Sequence, residues 1–247
     1  MSRIDKNRAR GDVLPMNRMS RLQVLPVLAL MIAASFPVGA QRTEVHRVQD
    51  AQDVFQALTA VPEHKVPAAL IRQVYGIAII PNVQRAGFII GGQHGRGVLV
   101  VRGAEGSWSR PLFLTLTGGS VGFQIGIQSA DIVLFFRTKD SVDRVLRGKY
   151  TMGVDASISA GSLGREAGAV TDQDLRAEIY SYSRTRGIFA GISVQGASLE
   201  VDYDANALYY GKEISKPVDV LEGIGLPNPP TAVQLSKALA ACIASLQ

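Results

Sequence analysis

The hydrophobic positions between residues 43 and 60 recur at intervals of three and four. Val48, Phe55 and Leu58 fall on one face of a helix with this period, and most charged residues fall on the opposite face. The pattern predicts an amphipathic helix over 43–60. A second, shorter helix is predicted over 67–75, before the next glycine.

From residue 77 the pattern changes to short apolar or alternating runs, which glycine, proline, asparagine and aspartate separate. Runs such as IAII, GVLVV and DIVLFF are typical of antiparallel strands joined by tight turns. Segments 94–97 and 103–106 are predicted as hairpin connections, since glycine adopts positive φ without steric cost. Glycines inside the runs indicate bent strands. We therefore predict an α+β fold, a strongly curved, barrel-like antiparallel sheet with flanking helices.

Three further helical segments interrupt or follow the strands. Residues 138–148 predict a helix capped by Asp140 or Ser141, and 204–211 predict a short helical turn. A proline-rich linker then precedes a final helix over 231–246. The region 212–247 is accordingly predicted to be a C-terminal linker and helix.

The first 40 residues have the pattern of a targeting segment. Six basic residues lie before an apolar stretch, and no charge occurs between Arg21 and Arg42. Small residues at 38–40 suit cleavage by a signal peptidase, so 1–40 are predicted to be a signal peptide and the protein to be periplasmic or secreted. A retained N-terminal anchor is the alternative.

The charge of the remaining chain argues against a nucleic-acid partner. The whole chain has a net charge of +5, but residues 41–247 hold 20 Lys and Arg against 19 Asp and Glu. A nearly neutral domain has no strong field to hold polyphosphate. The basic character therefore belongs mainly to the leader.

The sequence matches no established catalytic or metal-binding motif in full. Residues 118–122 match G-x-S-x-G, but a serine hydrolase needs a histidine after Ser120, and the histidines are at 46, 64 and 94. One cysteine and three scattered histidines give no zinc pattern, and no phosphate-binding loop is present. No cofactor or metal is expected. A carboxylate-only enzyme remains a third possibility, with candidates Asp131, Asp155, Glu166, Asp172 and Asp174.

Five stretches of the strand region occur in an order that resembles a known family. They are GIAIIPNVQRAGFIIGGQHGRGVLVVR, WSRP, GGSVGFQIGIQSADIVLFF, GVDASISAGSLGREA and YSYSRTRGIFAGISVQGASLEVDYDANALYYG. Together they resemble the SYLF domain family over roughly 53–211, which implies a SYLF-like lipid-binding domain over 41–211. Eukaryotic members bind phosphoinositides and are associated with actin, and bacterial members are typically exported. The resemblance attributes binding to basic residues and an N-terminal amphipathic helix.

Basic residues near the predicted helix 138–148 are the candidate lipid-binding site. They exceed the acidic residues of segment 137–149 by three, and cations near a membrane surface attract anionic head groups. The resulting hypothesis is a non-enzymatic exported protein that associates with anionic phospholipid at a membrane surface. Its main candidate residues are Arg137, Lys139, Arg144, Arg147 and Lys149. Arg47 and Arg72 are secondary candidates.

A second hypothesis stays open at this point. The protein could be a structural component of the periplasm or envelope that docks a protein partner through the curved sheet or the C-terminal helix 231–246. A charged face on a helix is also compatible with simple solvation. Vesicle binding is the observation that separates the two hypotheses.

Overall fold

The computed structural model describes residues 38–60, 66–87, 90–103, 106–121, 126–163, 170–171, 173–185 and 187–246. Almost all of the predicted signal peptide lies outside these residues. The helices within them are α1 (Val38–Ala60), α2 (Ala68–Gln73), α3 (Lys139–Leu146), α4 (Tyr203–Tyr210), α5 (Pro217–Glu222) and α6 (Pro230–Leu246). The strands are β1 (Gly76–Gly87), β2 (Ile90–Val101), β3 (Leu112–Val121), β4 (Gly126–Phe136), β5 (Tyr150–Thr151), β6 (Ile158–Ala160), β7 (Ile179–Thr185), β8 (Ile188–Gly191) and β9 (Ala197–Val201).

The strands form one strongly curled half-barrel sheet with helices around it. Its order is β5-β9-β3-β2-β1-β4-β7-β6, and β8 pairs with the second half of β7. The predicted α+β fold with a curved, barrel-like sheet is confirmed. One pairing differs from the antiparallel prediction, because β6 and β7 run parallel. The 18-residue connection between them is long enough for the crossover that a parallel pair requires.

A one-residue bulge in the middle of β1 contributes to the bending of the sheet. The pairing register of β1 shifts at this point against both of its neighbours, β2 and β4. Asn82 has a φ of 51°, and its backbone N–H donates to Oδ1 of Asp131 at 3.0 Å. The other oxygen of Asp131 accepts from Nε of Arg184 at 2.6 Å. The bulge is thus tied to β4 and β7 by side chains.

Segment 94–97 is part of a strand, so the hairpin prediction there was wrong. Residues Ile90 to Leu99 of β2 pair without interruption with β3. Glycine is required at 97 for close approach rather than for a turn, because a Cβ at this position would overlap the carbonyl oxygen of Ile79. The predicted turn at 103–106 does lie between β2 and β3.

Helix α1 confirms the amphipathic helix predicted over 43–60, and its apolar face is buried. Val48, Val54, Phe55 and Leu58 are at most 3% exposed and belong to the main core. They pack in the layer where α1 meets α6 and strands β1 and β2. The apolar face of α1 is therefore occupied by the fold.

The C-terminal region packs into the same core as the sheet. Ala232, Leu235, Leu239 and Ile243 of α6 are buried there. The region also contains α5, which the sequence analysis missed because a six-residue helix is too short to show a helical period. None of the described helices is both long and apolar enough to cross a membrane.

Candidate functional site

Helix α3 carries several of the cations that the sequence analysis selected. It begins after Thr138, whose Oγ1 accepts a hydrogen bond from the backbone N–H of Ser141 at 3.2 Å. The helix prediction is confirmed, but the N-cap is Thr138 rather than Asp140 or Ser141. Val142 and Val145 are buried on the side of α3 that faces the sheet. The charged residues of α3 are consequently directed toward solvent.

Most cations of this segment form exposed ion pairs. The hydrogen bond to Asp143 raises the pKa of Lys139, and the one to Asp140 raises the pKa of Arg144. Such exposed pairs contribute little to stability, so their partners exchange readily. The pairs are Lys139 with Asp143 at 2.6 Å, Arg144 with Asp140, and Lys149 with Glu200 at 3.4 Å.

Folding brings further carboxylates to the cluster that the sequence count did not include. Glu200 lies beside Lys149, and Glu178 lies 4.0 Å from Arg144. Arg144 also donates to the backbone carbonyl of Asp155, whose side chain accepts from the N–H of Thr151. The local excess of positive charge in the linear segment is therefore largely balanced in the folded protein.

Arg137 is an internal structural residue. Its Nε donates to Oε1 of Gln73 at 3.0 Å, and its Nη1 donates to the carbonyls of Leu175 and Ala177 at 2.6 and 2.8 Å. These bonds tie the end of β4 to α2 and to the chain before β7. The guanidinium is thus used in hydrogen bonds within the fold. A lipid head group could bind it only if these hydrogen bonds were broken.

Arg147 is exposed immediately after α3 and forms no ion pair with another residue that the structure describes. Arg72 is exposed in the last turn of α2 and is not part of α3. An apolar side chain lies near the end of α3: Val154 is 79% exposed in the turn after β5. Arg144 of α3 donates a hydrogen bond to the backbone carbonyl of Asp155, the next residue in that turn. Lys149, Arg147 and Val154 are all exposed in the chain that follows α3, between positions 147 and 154, and we call them the α3 rim.

Arg47 is buried and belongs to a charged network between α1 and the sheet. It is 7% exposed, and its Nη2 and Nη1 lie 2.9 Å from Glu44 and 3.2 Å from Asp202. Its guanidinium lies 5.3 Å from the ring centroid of Phe113. Burial raises the pKa of Glu44, although Arg47 opposes this effect. Arg47 holds α1 in place and is not part of the α3 rim.

A cleft of about 450 Å³, which the sequence analysis did not anticipate, lies on the other side of α3. It is bounded by α3, by α5 and by the chain between β2 and β3. Trp108 contributes to its wall, and the carbonyl of Trp108 accepts from Oγ of Ser236 in α6 at 3.0 Å. Tyr210 donates to the carbonyl of Pro111 at 2.7 Å, and burial raises the pKa of this phenol. Both bonds fix the segment that forms the cleft.

Arg110 lines this cleft without a hydrogen-bond acceptor. Its Nη1 is buried and unpartnered, and its other side-chain nitrogens make no hydrogen bond within the described part of the chain. Arg85 in β1 also has a buried, unpartnered Nε, and burial lowers its pKa.

Metal and hydrolase chemistry find no structural support in the described residues. No group of three or more His, Cys, Asp or Glu residues there is placed to hold a metal ion. Ser120 lies within β3, as a strand residue, and so lacks the strand-to-helix turn of a nucleophile elbow at its own position.

Comparisons with known proteins match a family model over the second half of the chain, from the end of β3 into α6. Residues 117–242 match a family described as Ysc84, Las17-binding protein actin regulator. LAS seventeen-binding protein 3 of Saccharomyces cerevisiae is 34% identical over 167 residues, which are 66% of this chain and 36% of the yeast protein.

Two further relatives come from other eukaryotes. An SH3 domain-containing protein of Schizosaccharomyces pombe is 37% identical over 153 residues, which are 61% of this chain and 35% of that protein. The human SH3 domain-containing YSC84-like protein 1 is 31% identical over 179 residues, which are 72% of this chain and 52% of the human protein. This chain thus spans between about a third and about half of these relatives.

Proposed function

Because this chain belongs to the Ysc84 (SYLF) family, we propose that it is a non-enzymatic, exported domain that associates with anionic phospholipid at a membrane surface. The leader pattern of residues 1–40 supports export to the periplasm or the medium. The absence of a recognisable catalytic constellation in the sequence supports a binding role. The family description names an actin regulator, and the matched relatives are longer than this chain.

The observation that carries the proposal is the exposed Val154 beside the cations of the α3 rim. An exposed apolar side chain next to lysine and arginine can enter the membrane interface while the cations contact the head groups. Lys149 is 62% exposed and its 3.4 Å pair with Glu200 is exposed as well, so phosphate can replace the carboxylate at low cost.

The proposal uses the α3 rim rather than α1. Insertion of α1 would require its apolar residues to leave the core, and Phe55 and Leu58 are almost completely buried. The carboxylates around α3 also limit the electrostatic attraction. We therefore expect moderate binding in which the apolar contact of Val154 and the cations contribute together.

Co-sedimentation with liposomes tests this proposal. We expect the compact unit of residues 36–247, which contains the whole described core, to sediment with anionic vesicles more than with neutral ones, and less at high salt. Val154→Asp should weaken binding roughly tenfold, because it removes an apolar contact and adds a negative charge. Arg147→Glu combined with Lys149→Glu should act in the same direction.

Ile188→Asp is the matched control, because Ile188 is 67% exposed but lies in β8, outside the α3 rim. This variant should sediment like the unchanged protein. Equal binding of the Val154 and Ile188 variants would refute the assignment to the α3 rim. Failure of the unchanged protein to sediment with any vesicle would refute the function itself.

A further inference from the structure

The cleft between α3 and α5 has an apolar wall and a basic margin. Trp108, Leu221 and Val218 supply apolar surface, and Val218 is 39% exposed at the opening. Arg102 and Arg110 contribute positive charge from the chain between β2 and β3. Its volume of about 450 Å³ falls in the range of small-molecule sites, about 300–1,000 Å³.

The Arg110 guanidinium has no anionic partner within the described residues, although Asp143 and Glu222 also line the cleft. Removing a guanidinium from water without an acceptor is costly, so buried arginines are normally hydrogen-bonded. Arg47 and Arg137 obey this rule, with acceptors on two or more sides. Arg110 does not obey this rule. Arg102, which also lines the cleft, is a second cation, and it forms no ion pair in the described part of the chain.

The backbone of α5 does not provide the missing acceptor. Nη1 of Arg110 packs against Gly223, where a Cβ would overlap it, and Gly223 ends α5 in the left-handed conformation with a φ of 72°. The carbonyls at this helix end form no hydrogen bond with the guanidinium. An anion bound in the cleft would satisfy it.

We propose that this cleft binds one molecule of an anionic amphiphile. Its acidic head lies on Arg102 and Arg110, and its alkyl part lies against Trp108, Leu221 and Val218. Neither a simple anion nor a simple hydrocarbon matches both walls of the cleft. The inference goes beyond membrane association, because it concerns a single dissolved molecule and uses residues outside the α3 rim.

Trp108 makes the proposal measurable, since it is the only tryptophan of the chain and lies in the wall of the cleft. Residues 36–247 are titrated with decyl phosphate below its aggregation concentration, and tryptophan emission and calorimetry are followed. We expect saturable binding of one molecule per chain with a change in emission. Decanol and inorganic phosphate should each bind at least tenfold more weakly. Absence of decyl phosphate binding, or equal affinity for decanol, would overturn the proposal.

Two variants test the contribution of charge in the cleft. Arg110→Gln should weaken decyl phosphate binding about tenfold or more, because it removes a charge-assisted contact. Glu222→Gln changes an exposed residue of the lining and should strengthen binding a few-fold, since it removes repulsion. This second variant keeps the test decisive if Arg110→Gln affects folding. Unchanged affinity in both would overturn the assignment of the head group.

Further variants separate this site from the α3 rim. Arg176→Gln changes an exposed arginine outside the cleft lining and should leave decyl phosphate binding unchanged. Val154→Asp should also leave it unchanged, while reducing vesicle sedimentation. Loss of decyl phosphate binding in Val154→Asp would overturn the location in the cleft. Failure of vesicle sedimentation alone would concern only the membrane proposal.

Discussion

At the scale of single residues, the arginines of this protein have different roles that their sequence context does not reveal. Arg47 and Arg137 are used inside the fold, Arg147 is exposed, and Arg110 is partly buried without an acceptor. Counting charges along 137–149 cannot show which cations of that segment are paired. Their partners Gln73, Glu178 and Glu200 come from distant parts of the chain.

The different roles predict different effects on stability. Arg47→Gln should lower the free energy of unfolding by about 3–5 kcal/mol, because it leaves Glu44 and Asp202 near each other in a buried place. Arg147→Gln, at an exposed arginine, should change it by less than about 0.5 kcal/mol. Urea denaturation followed by circular dichroism measures both. Equal effects would contradict the structural role of Arg47.

At the scale of elements, hydrophobic periodicity predicted the type of secondary structure of each segment. It was less informative about which other elements each segment contacts. The period over 43–60 identified α1, but whether its apolar face stays free or enters the core depends on α6, about 180 residues later. Glycines were misleading in β2, since a glycine needed for close approach looks the same in sequence as one needed for a turn. The parallel pairing of β6 and the short α5 leave no local pattern at all.

The two glycine roles can be separated within one strand. Gly97→Ala should destabilise the protein by about 1–3 kcal/mol or more, because the new methyl group overlaps the backbone of β1. Gly92→Ala in the same strand meets nothing within 4 Å and should be nearly neutral. The midpoints of thermal unfolding of the two variants provide the comparison. A turn with positive φ at 94–97 would instead tolerate asparagine better than alanine at Gly97, whereas close backbone contact excludes both.

At the scale of the whole molecule, the core extends from α1 through the half-barrel to α6. The predicted division at residue 211 separates parts that share buried contacts, since Leu235 and Leu239 pack with residues of α1 and the sheet in one cluster. The resemblance covered 53–211, whereas the family match runs to residue 242 and includes most of α6. The overall fold class was thus predictable from pattern.

This continuity predicts cooperative unfolding. Leu239→Ala should lower the stability of the entire unit by about 2–5 kcal/mol, because Leu239 is fully buried. Lys237→Ala, two residues earlier on the exposed side of α6, is the control and should have little effect. Tryptophan emission and far-ultraviolet circular dichroism should give one common transition. An early transition confined to helix content would show that α6 is independent.

The ends of the half-barrel have a consequence for aggregation. The sheet ends at β5, which has two residues, and at β6, which has three. A long free edge offers a row of unpaired backbone groups on which another chain can add a strand, and very short edge strands deny it that template. Among the described residues, only the two residues of β5 cover the outer edge of β9, whereas β6 and β8 together cover that of β7. Loss of pairing at 150–151 would therefore uncover β9 and give another chain a five-residue edge on which to add a strand.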